Sequence, residues 1–267
     1  MNNFENINNN EQERKIEIYL DNEINNFVNI NEKDIYDINE KVNNILGVEK
    51  TENDTVSYYS FSSREIFNNF VRENIDNDEK LIENGNAFFH INPETGEKII
   101  VKYAQIPNEE ELEDGRQRGF ALEEVKEKKK LDILSAFAHE TTHINSFFKK
   151  HGNDNTDNKW EQEAICSYVG EKIRGSFDER MVSKEEIDSF SLNDGNWDSK
   201  NKATILFYLF LDKEYGLDKV RNIWKELQND SNIEKAIINI LKQKPEEVVS
   251  KFKEKSKNKE YLKSIYT

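Results

Sequence analysis

The sequence predicts a predominantly helical α+β protein, in which a small antiparallel sheet precedes a helical C-terminal half. Two observations support this class. Runs of β-branched and aromatic residues are clearest before residue 104, where two of them flank a turn that contains proline and glycine. From residue 122 onward, apolar residues recur at the helical spacings of three and four. A chain of 267 residues is long enough for one or two domains.

The first elements are predicted to be helices. Residues 1–11 are a low-complexity stretch of Asn and Glu, and we expect a frayed arm there because the segment is too polar to order itself. Residues 13–46 carry apolar side chains at spacings of three and four, which predicts two amphipathic helices ending near Gly47. We therefore expect an N-terminal helical segment over residues 1–50 and a second domain over residues 51–267.

The predicted sheet follows this segment. Residues 56–61 favour a strand, and residues 64–71 a short helix. Residues 87–91 and 98–103 are β-favouring runs joined by the turn Pro93-Glu94-Thr95-Gly96, which predicts a hairpin. The acidic residues 108–118 are predicted to form a loop. Helices are then expected over residues 122–150, 158–174, 201–215, 217–229, 233–241 and 245–252, and the helical C-terminal part covers about residues 180–267.

The composition restricts the function. A net charge of -15 repels phosphate backbones, so we expect no nucleic-acid partner. A single cysteine excludes an intramolecular disulfide and a cysteine-rich zinc or iron–sulfur site. The longest apolar run, residues 203–211, is too short to span a membrane, and no signal peptide is recognisable. The expected location is cytoplasmic, or outside the cell if a signal peptide has been removed.

One short motif carries the chemistry. His139-Glu140-Thr141-Thr142-His143 places two histidines four residues apart on a predicted helix, so both imidazoles can reach one zinc ion. Glu140 can then accept the proton of a water molecule held at that ion. The alternative interpretation is that these are ordinary polar residues on a helix surface.

A catalytic zinc site needs a third protein ligand and one open position. Glu163 lies twenty residues after His143, on a helix that the intervening loop can fold back antiparallel to the first. Glu161 is the rival ligand, but it does not share the helix face of Glu163, Cys166 and Ser167.

These residues resemble the gluzincin metallopeptidases of the thermolysin-like zincin superfamily, in which a glutamate ligand follows the HExxH helix on the next helix. Trp160, Glu163, Ala164 and Tyr168 match the pattern around that ligand, although glycine is common where this chain has Ala164. Residues 203–211 and 215–220 are similar to the helix, Tyr-Gly break and helix of the C-terminal part of such peptidases. The resemblance covers residues 86–252 and leaves the first fifty residues outside.

The resemblance implies a zincin-like fold and one zinc ion per chain, bound by His139, His143 and Glu163, with Glu140 as general base. It implies a peptide or protein substrate, paired with an edge strand formed by residues 98–103. Endopeptidase action is expected because no motif for recognising a free amine stands out.

The resemblance also implies a donor for the oxyanion of the tetrahedral intermediate. Tyr168 is the predicted donor, and Tyr208, His151 and His90 remain candidates, because Asn201 stands where many members carry Tyr or His. Some members orient a zinc-bound histidine with a carboxylate where this chain has Ser167. Cys166 is expected to be a buried, inert residue, although it shares a helix face with Glu163.

Two other functions remain open. The first is a zincin-fold protein that binds zinc without turnover and acts as a binding or regulatory module. The second is a regulatory helical protein in which His139 and His143 bind nothing.

Overall fold

The structure is a computed structural model that describes residues 16–48, 56–75, 79–92, 95–145, 159–175, 182–192, 197–227 and 232–265. The predicted polar arm and the Pro93-Glu94 part of the predicted turn lie outside these ranges. Side chains at residues 159–161 and 197–201, among them Trp160, Glu161 and Asn201, are also outside the description, as is His151. No helix among the described residues is both long enough and apolar enough to cross a membrane.

The sheet has four strands, β1 (Ile16–Leu20), β2 (Val56–Phe61), β3 (Ala87–Ile91) and β4 (Lys98–Tyr103). Their order across the sheet is β1-β2-β4-β3. The first three strands in this order are mutually parallel and β3 is antiparallel to β4, so the sheet is mixed and the prediction of an antiparallel sheet was wrong. The predicted hairpin of β3 and β4 is confirmed.

Two further predictions about the sheet were wrong. Residues 16–20, predicted to be helical, form β1, because Ile16, Ile18 and Leu20 also fit the strand period and pair with β2. Residues 98–103 form an interior strand, since β4 is paired with β2 on one side and β3 on the other. The strand beside it at the sheet edge is β3.

Thirteen described helices complete the chain and confirm the predominantly helical α+β class. Five precede the HExxH segment: α1 (Asn22–Val28), α2 (Glu32–Leu46), α3 (Arg64–Asn74), α4 (Glu79–Asn84) and α5 (Glu109–Gln117). The motif lies on α6 (Leu122–Asn145) and its predicted partner on α7 (Lys159–Arg174). The remaining helices are α8 (Lys184–Ser189), α9 (Trp197–Tyr215), α10 (Leu217–Leu227), α11 (Ile233–Leu241), α12 (Pro245–Lys255) and α13 (Lys259–Ser264).

Helix α5 occupies the segment predicted to be an acidic loop. Asn108 caps it by accepting a hydrogen bond from the Glu111 backbone N–H, while the Glu111 carboxylate accepts one from the Asn108 N–H. The three glutamates of its first turn also suit the positive end of the helix dipole. The acidic residues therefore favour the start of a helix here.

The two faces of the sheet pack against different layers. Ile100 of β4 and Tyr58 of β2 join the main core, which also contains buried residues of α2, α6, α7, α9 and α10. The alternate residue Val101 faces a smaller cluster with Phe67 and Val71 of α3. Helices α1 and α2 belong to the main core, so residues 16–48 pack together with the rest of the fold.

A buried polar network joins α2 to α6. The Tyr58 hydroxyl donates to Asn39 Oδ1 at 3.1 Å and lies 3.0 Å from Thr141 Oγ1, inside the HExxH segment. The Asn145 amide at the end of α6 donates to Asn43 Oδ1 at 3.0 Å. Because buried polar groups are costly to leave unpaired, this network fixes the position of the helix that carries the two histidines.

An ionic cluster joins α9 to the last two helices. The Glu214 carboxylate accepts hydrogen bonds from Lys255 at 2.7 Å and Tyr261 at 3.0 Å, and Lys251 lies 2.9 Å away. Burial alone would raise the pKa of Glu214, but the bonds from Lys255, Lys251 and Tyr261 outweigh it and lower the pKa to about 2. The folded pKa is below the unfolded value, so the cluster stabilises the fold above about pH 4.5 and less as the pH falls toward 2.

Replacing Glu214 with glutamine is expected to lower the free energy of unfolding by about 1–3 kcal/mol at pH 7, because two lysines lose their charged acceptor. The difference from wild type should shrink between pH 4.5 and 2, as measured by urea denaturation. Glu254→Gln, at an exposed position of α12, is the matched control and should change stability by less than about 0.5 kcal/mol. A difference that stays constant down to pH 2 would contradict the assignment.

Candidate metal centre

The candidate site lies between α6 and α7, which pack side by side. Three contacts join the two helices. The Ser135 hydroxyl donates to the Gly170 carbonyl at 2.9 Å, and Ser167 Oγ lies 3.4 Å from His139 Nδ1. His143 Nε2 lies 3.4 Å from Glu163 Oε1. Residue numbers rise along α6 as they fall along α7 in these pairs, so the two helices are antiparallel, as predicted.

Three side chains converge on one point. His139 Nε2 and His143 Nε2 are 3.2 Å apart; His139 Nε2 lies 3.4 Å from Glu163 Oε2, and His143 Nε2 lies 3.4 Å from Glu163 Oε1. Ligands around tetrahedral zinc, with bonds of roughly 2.0–2.2 Å, are separated by about 3.3–3.5 Å. The spacing of the three side chains is therefore of the size expected for ligands of one metal ion, with the two histidines facing different oxygens of the same carboxylate.

The charge of Glu163 matches this arrangement. Burial alone would raise the pKa of its carboxyl, but the hydrogen bonds and charges of His139 and His143 outweigh burial and hold the pKa well below its usual range. Glu163 is therefore an anion facing two imidazoles, which is the donor set that a divalent cation such as zinc prefers.

Neighbouring side chains orient both histidines. Ser167 Oγ lies 3.4 Å from His139 Nδ1, the ring nitrogen that points away from Glu163. The ring of Phe89, on β3, stacks on the ring of His143 with a centroid separation of 5.0 Å and an interplanar angle of 11°. Contacts of this kind fix the ring orientation of a metal-binding histidine.

Glu140 is a buried acid beside the site. Its side chain is only 8% exposed, and among the described residues it takes part in no hydrogen bond or ion pair. Burial raises the pKa of Glu140 to about 7; the charge of Glu163 adds to this effect, while His139 and Lys102 oppose it. A buried acid with no hydrogen-bond partner in the described part of the chain, next to three converging ligands, is suited to exchanging protons with a bound molecule.

Lys102 was missed in the sequence. It lies on β4 on the same face as Ile100, toward α6, and its charge acts on Glu140. Burial lowers the pKa of Lys102 to about 8, with a further contribution from Lys129. The alternation of strand β4 could have placed Lys102 on this face, but the sequence does not show which residues of α6 lie opposite it.

Tyr168, the predicted oxyanion donor, has its contacts elsewhere. Its hydroxyl donates to Asp212 Oδ2 at 2.8 Å and accepts from Lys172 Nζ at 3.2 Å. Its ring is fully buried and packs on Tyr208 and Trp224 of α9 and α10. The structure thus brings together His139, His143 and Glu163 but does not join the two tyrosines to them.

The other predicted candidates have separate positions. His90 alternates with Phe89 along β3, so the two side chains leave opposite faces of the sheet. Cys166 is fully buried, as expected, and burial raises the pKa of its thiol, with further contributions from Glu163 and Glu140. Its Sγ nevertheless forms a cluster with ring nitrogens of His139 and His143, in which all three atoms lie within 4.8 Å of one another.

The close approach of the two helices depends on Gly170. A Cβ atom at this position would lie 3.0 Å from the Ser135 carbonyl oxygen and 3.5 Å from His139 Cβ. The first distance is shorter than ordinary van der Waals contact, so a larger residue would push α7 away from the histidine helix.

Gly170→Ala is therefore expected to lower the free energy of unfolding by about 1–3 kcal/mol, measured by urea denaturation. The control is Gly115→Ala on α5, where an added Cβ meets open space. That substitution should stabilise the fold slightly, by about 0.4–1 kcal/mol, because alanine restricts the unfolded chain. Equal effects of the two substitutions would show that the helix contact at Gly170 is not tight.

No protein-family model matches the chain, and no match was found among curated proteins or solved structures. What the protein does is inferred from the arrangement of its own side chains.

Proposed function

We propose that the chain is a zinc-dependent peptidase with a zincin-like metallopeptidase fold, which hydrolyses peptide bonds by attack of water. One zinc ion per chain would be held by His139, His143 and Glu163. The observation that carries this proposal is the convergence of the three side chains: the two Nε2 atoms lie 3.2 Å apart, and each lies 3.4 Å from a different oxygen of the Glu163 carboxylate, a spacing close to that between zinc ligands.

The remaining chemistry belongs to Glu140. When bound, the zinc ion polarises the attacking water and the scissile carbonyl. Glu140 follows His139 directly in the sequence, is buried and has no hydrogen bond or ion pair within the described part of the chain. Its carboxylate accepts a proton from the attacking water and delivers it to the nitrogen of the leaving amine.

The order of the strands supports a substrate position along β3. Strand β3 pairs with β4 on one side and has no strand partner among the described residues on the other. Phe89 of β3 stacks on His143, so the edge of β3 borders the candidate site. An extended peptide would therefore pair with β3, in place of the originally predicted residues 98–103. Pairing along an open edge, rather than capture of a chain terminus, favours endopeptidase action.

A second candidate function is zinc binding without turnover, in a binding or regulatory module. It is favoured by the contacts of Tyr168, whose hydroxyl is held by Asp212 and Lys172 in the core. A peptidase needs a donor for the oxyanion besides the metal, and this side chain is already engaged.

Elemental analysis combined with cleavage of denatured proteins tests both functions. The peptidase should contain about one zinc per chain, cleave the denatured proteins, lose activity with a chelator and regain it on addition of zinc. Stoichiometric zinc without cleavage would support the second candidate. A chain that binds no zinc would overturn both and support the helical regulatory protein that binds no metal.

A further inference from the structure

The thiol of Cys166 lies beside the three converging ligands. Cys166 follows Glu163 by one helical turn on α7, and its side chain is fully buried. Its Sγ lies within 4.8 Å of a ring nitrogen of each histidine. In four-coordinate zinc, sulfur and nitrogen ligands are about 3.5 Å apart, so each sulfur–nitrogen distance exceeds the ligand value by at most roughly 1.3 Å; the group of three does not include the Glu163 carboxylate. A change between staggered χ1 rotamers moves Sγ by more than that distance.

The charges around the thiol also point to a cation. Cys166 is within electrostatic reach of two carboxylates, Glu163 and Glu140, as well as the two imidazoles. Glu140 is more than nine-tenths buried and has no hydrogen bond or ion pair among the described residues. A bound divalent cation deprotonates a coordinating thiol.

We propose that Cys166 is a fourth ligand that closes the metal site when no substrate is present. This inference rests on the zinc site of the proposed function. In the closed state, two histidines, one glutamate and one thiolate fill all four positions; in the open state the sulfur withdraws and one position is free. Closure breaks the S–H bond, releases its proton to solvent and forms a sulfur–metal bond, so no oxidant is consumed. The closed state excludes the attacking water, and the thiol therefore restrains hydrolysis.

Cobalt substitution of the full chain tests this inference with a readout besides activity. Cobalt(II) replaces zinc in such sites, and a thiolate ligand adds a sulfur-to-cobalt charge-transfer band in the near ultraviolet. The chain has one cysteine, so a band of this kind can only come from Cys166. We expect the wild-type protein to bind one cobalt and show the band. Cys166→Ser should bind cobalt but lose the band, while Ser189→Ala, at an exposed position of α8, should keep it.

The outcomes separate this inference from the proposed function. Stoichiometric cobalt without the band in the wild-type protein would overturn the role of Cys166 and leave the three-ligand site intact. Failure to bind cobalt or zinc would overturn the metal site and this inference with it. Acetohydroxamate, a small metal-binding probe, should displace the thiolate and abolish the band. If the band persists at a saturating concentration of the probe, the thiolate does not leave the metal, and the proposed change between closed and open states is wrong. If Cys166→Ser fails to fold, the spectrum of the wild-type protein, with and without the probe, still shows whether Cys166 binds the metal.

Discussion

Glu140→Gln is expected to abolish most peptide-bond cleavage while leaving the zinc ion bound. Glutamine has nearly the same shape as glutamate but cannot accept the proton of the attacking water. General-base catalysis contributes about 10²–10⁴ in rate, so kcat/KM should fall by at least 100-fold. His139, His143 and Glu163 are unchanged, so elemental analysis should still find about one zinc per chain.

The matched control for this substitution is Glu127→Gln on the same helix, at an exposed position. This substitution removes one negative charge from α6 without changing a residue of the site. The value of kcat/KM should stay within about twofold of wild type, since surface substitutions of this kind alter free energies by less than about 0.5 kcal/mol. If Glu140→Gln cleaves peptides as fast as wild type while Glu127→Gln is also unchanged, Glu140 is not the general base. Loss of zinc in Glu140→Gln would instead show that this carboxyl helps to hold the metal.

Local spacing was enough to predict the centre of the site. His139 and His143 lie four residues apart on one helix, and this relation does not depend on how the rest of the chain folds. Glu163 required only the further assumption that the next helix folds back, which the antiparallel packing of α6 and α7 confirms. The surroundings were not predictable in this way, because Phe89, which stacks on His143, and Lys102, whose charge acts on Glu140, lie on strands whose order in the sheet is set by long-range pairing.

The wrong predictions about the sheet also arise from long-range strand pairing, which the sequence does not show. Residues 16–20 fit the strand and the helix periods equally well over so short a length, and the pairing with β2, forty residues later, decides between them. The interior position of β4 depends on the same pairing. Helix α5 is a different case. Its capping box, formed by Asn108 and Glu111, is recognisable in the sequence, but the acidic composition of residues 108–118 led to the prediction of a loop.

Tyr168 shows that a match to a sequence pattern does not fix the direction of a side chain. Five residues separate it from Glu163, and five helical steps rotate a side chain by roughly 140° from its starting direction. The Glu163 face of α7 meets α6, whereas Tyr168 points toward α9 and α10 and bonds to Asp212. Its hydroxyl bonds to Asp212 and its ring packs on Trp224, so its contacts lie in the core.

The choice between Glu163 and Glu161 as third ligand leads to the second large effect. Glu163→Gln is expected to weaken zinc binding by more than about 100-fold, because it removes a metal ligand. Loss of a residue that only contacts a ligand typically weakens metal binding by about 10–100-fold, so loss of the ligand should weaken it further. The carboxylate lies 3.4 Å from both histidine nitrogens, and an amide offers the metal a neutral, weaker oxygen. Competition with a chromogenic chelator measures the affinity directly.

Glu161→Gln is the matched control, because it makes the same change two residues earlier on the same helix. On an ideal helix two steps amount to roughly 200° of rotation, so the sequence predicts that Glu161 does not share the helix face of Glu163. Zinc affinity should therefore change by no more than a few-fold in this variant. Release of the metal by Glu161→Gln, but not by Glu163→Gln, would contradict the assignment of Glu163. The contacts of Glu163 with His139 and His143 would then be an ion pair formed without metal, and helix α7 would have to rotate for Glu161 to bind the metal.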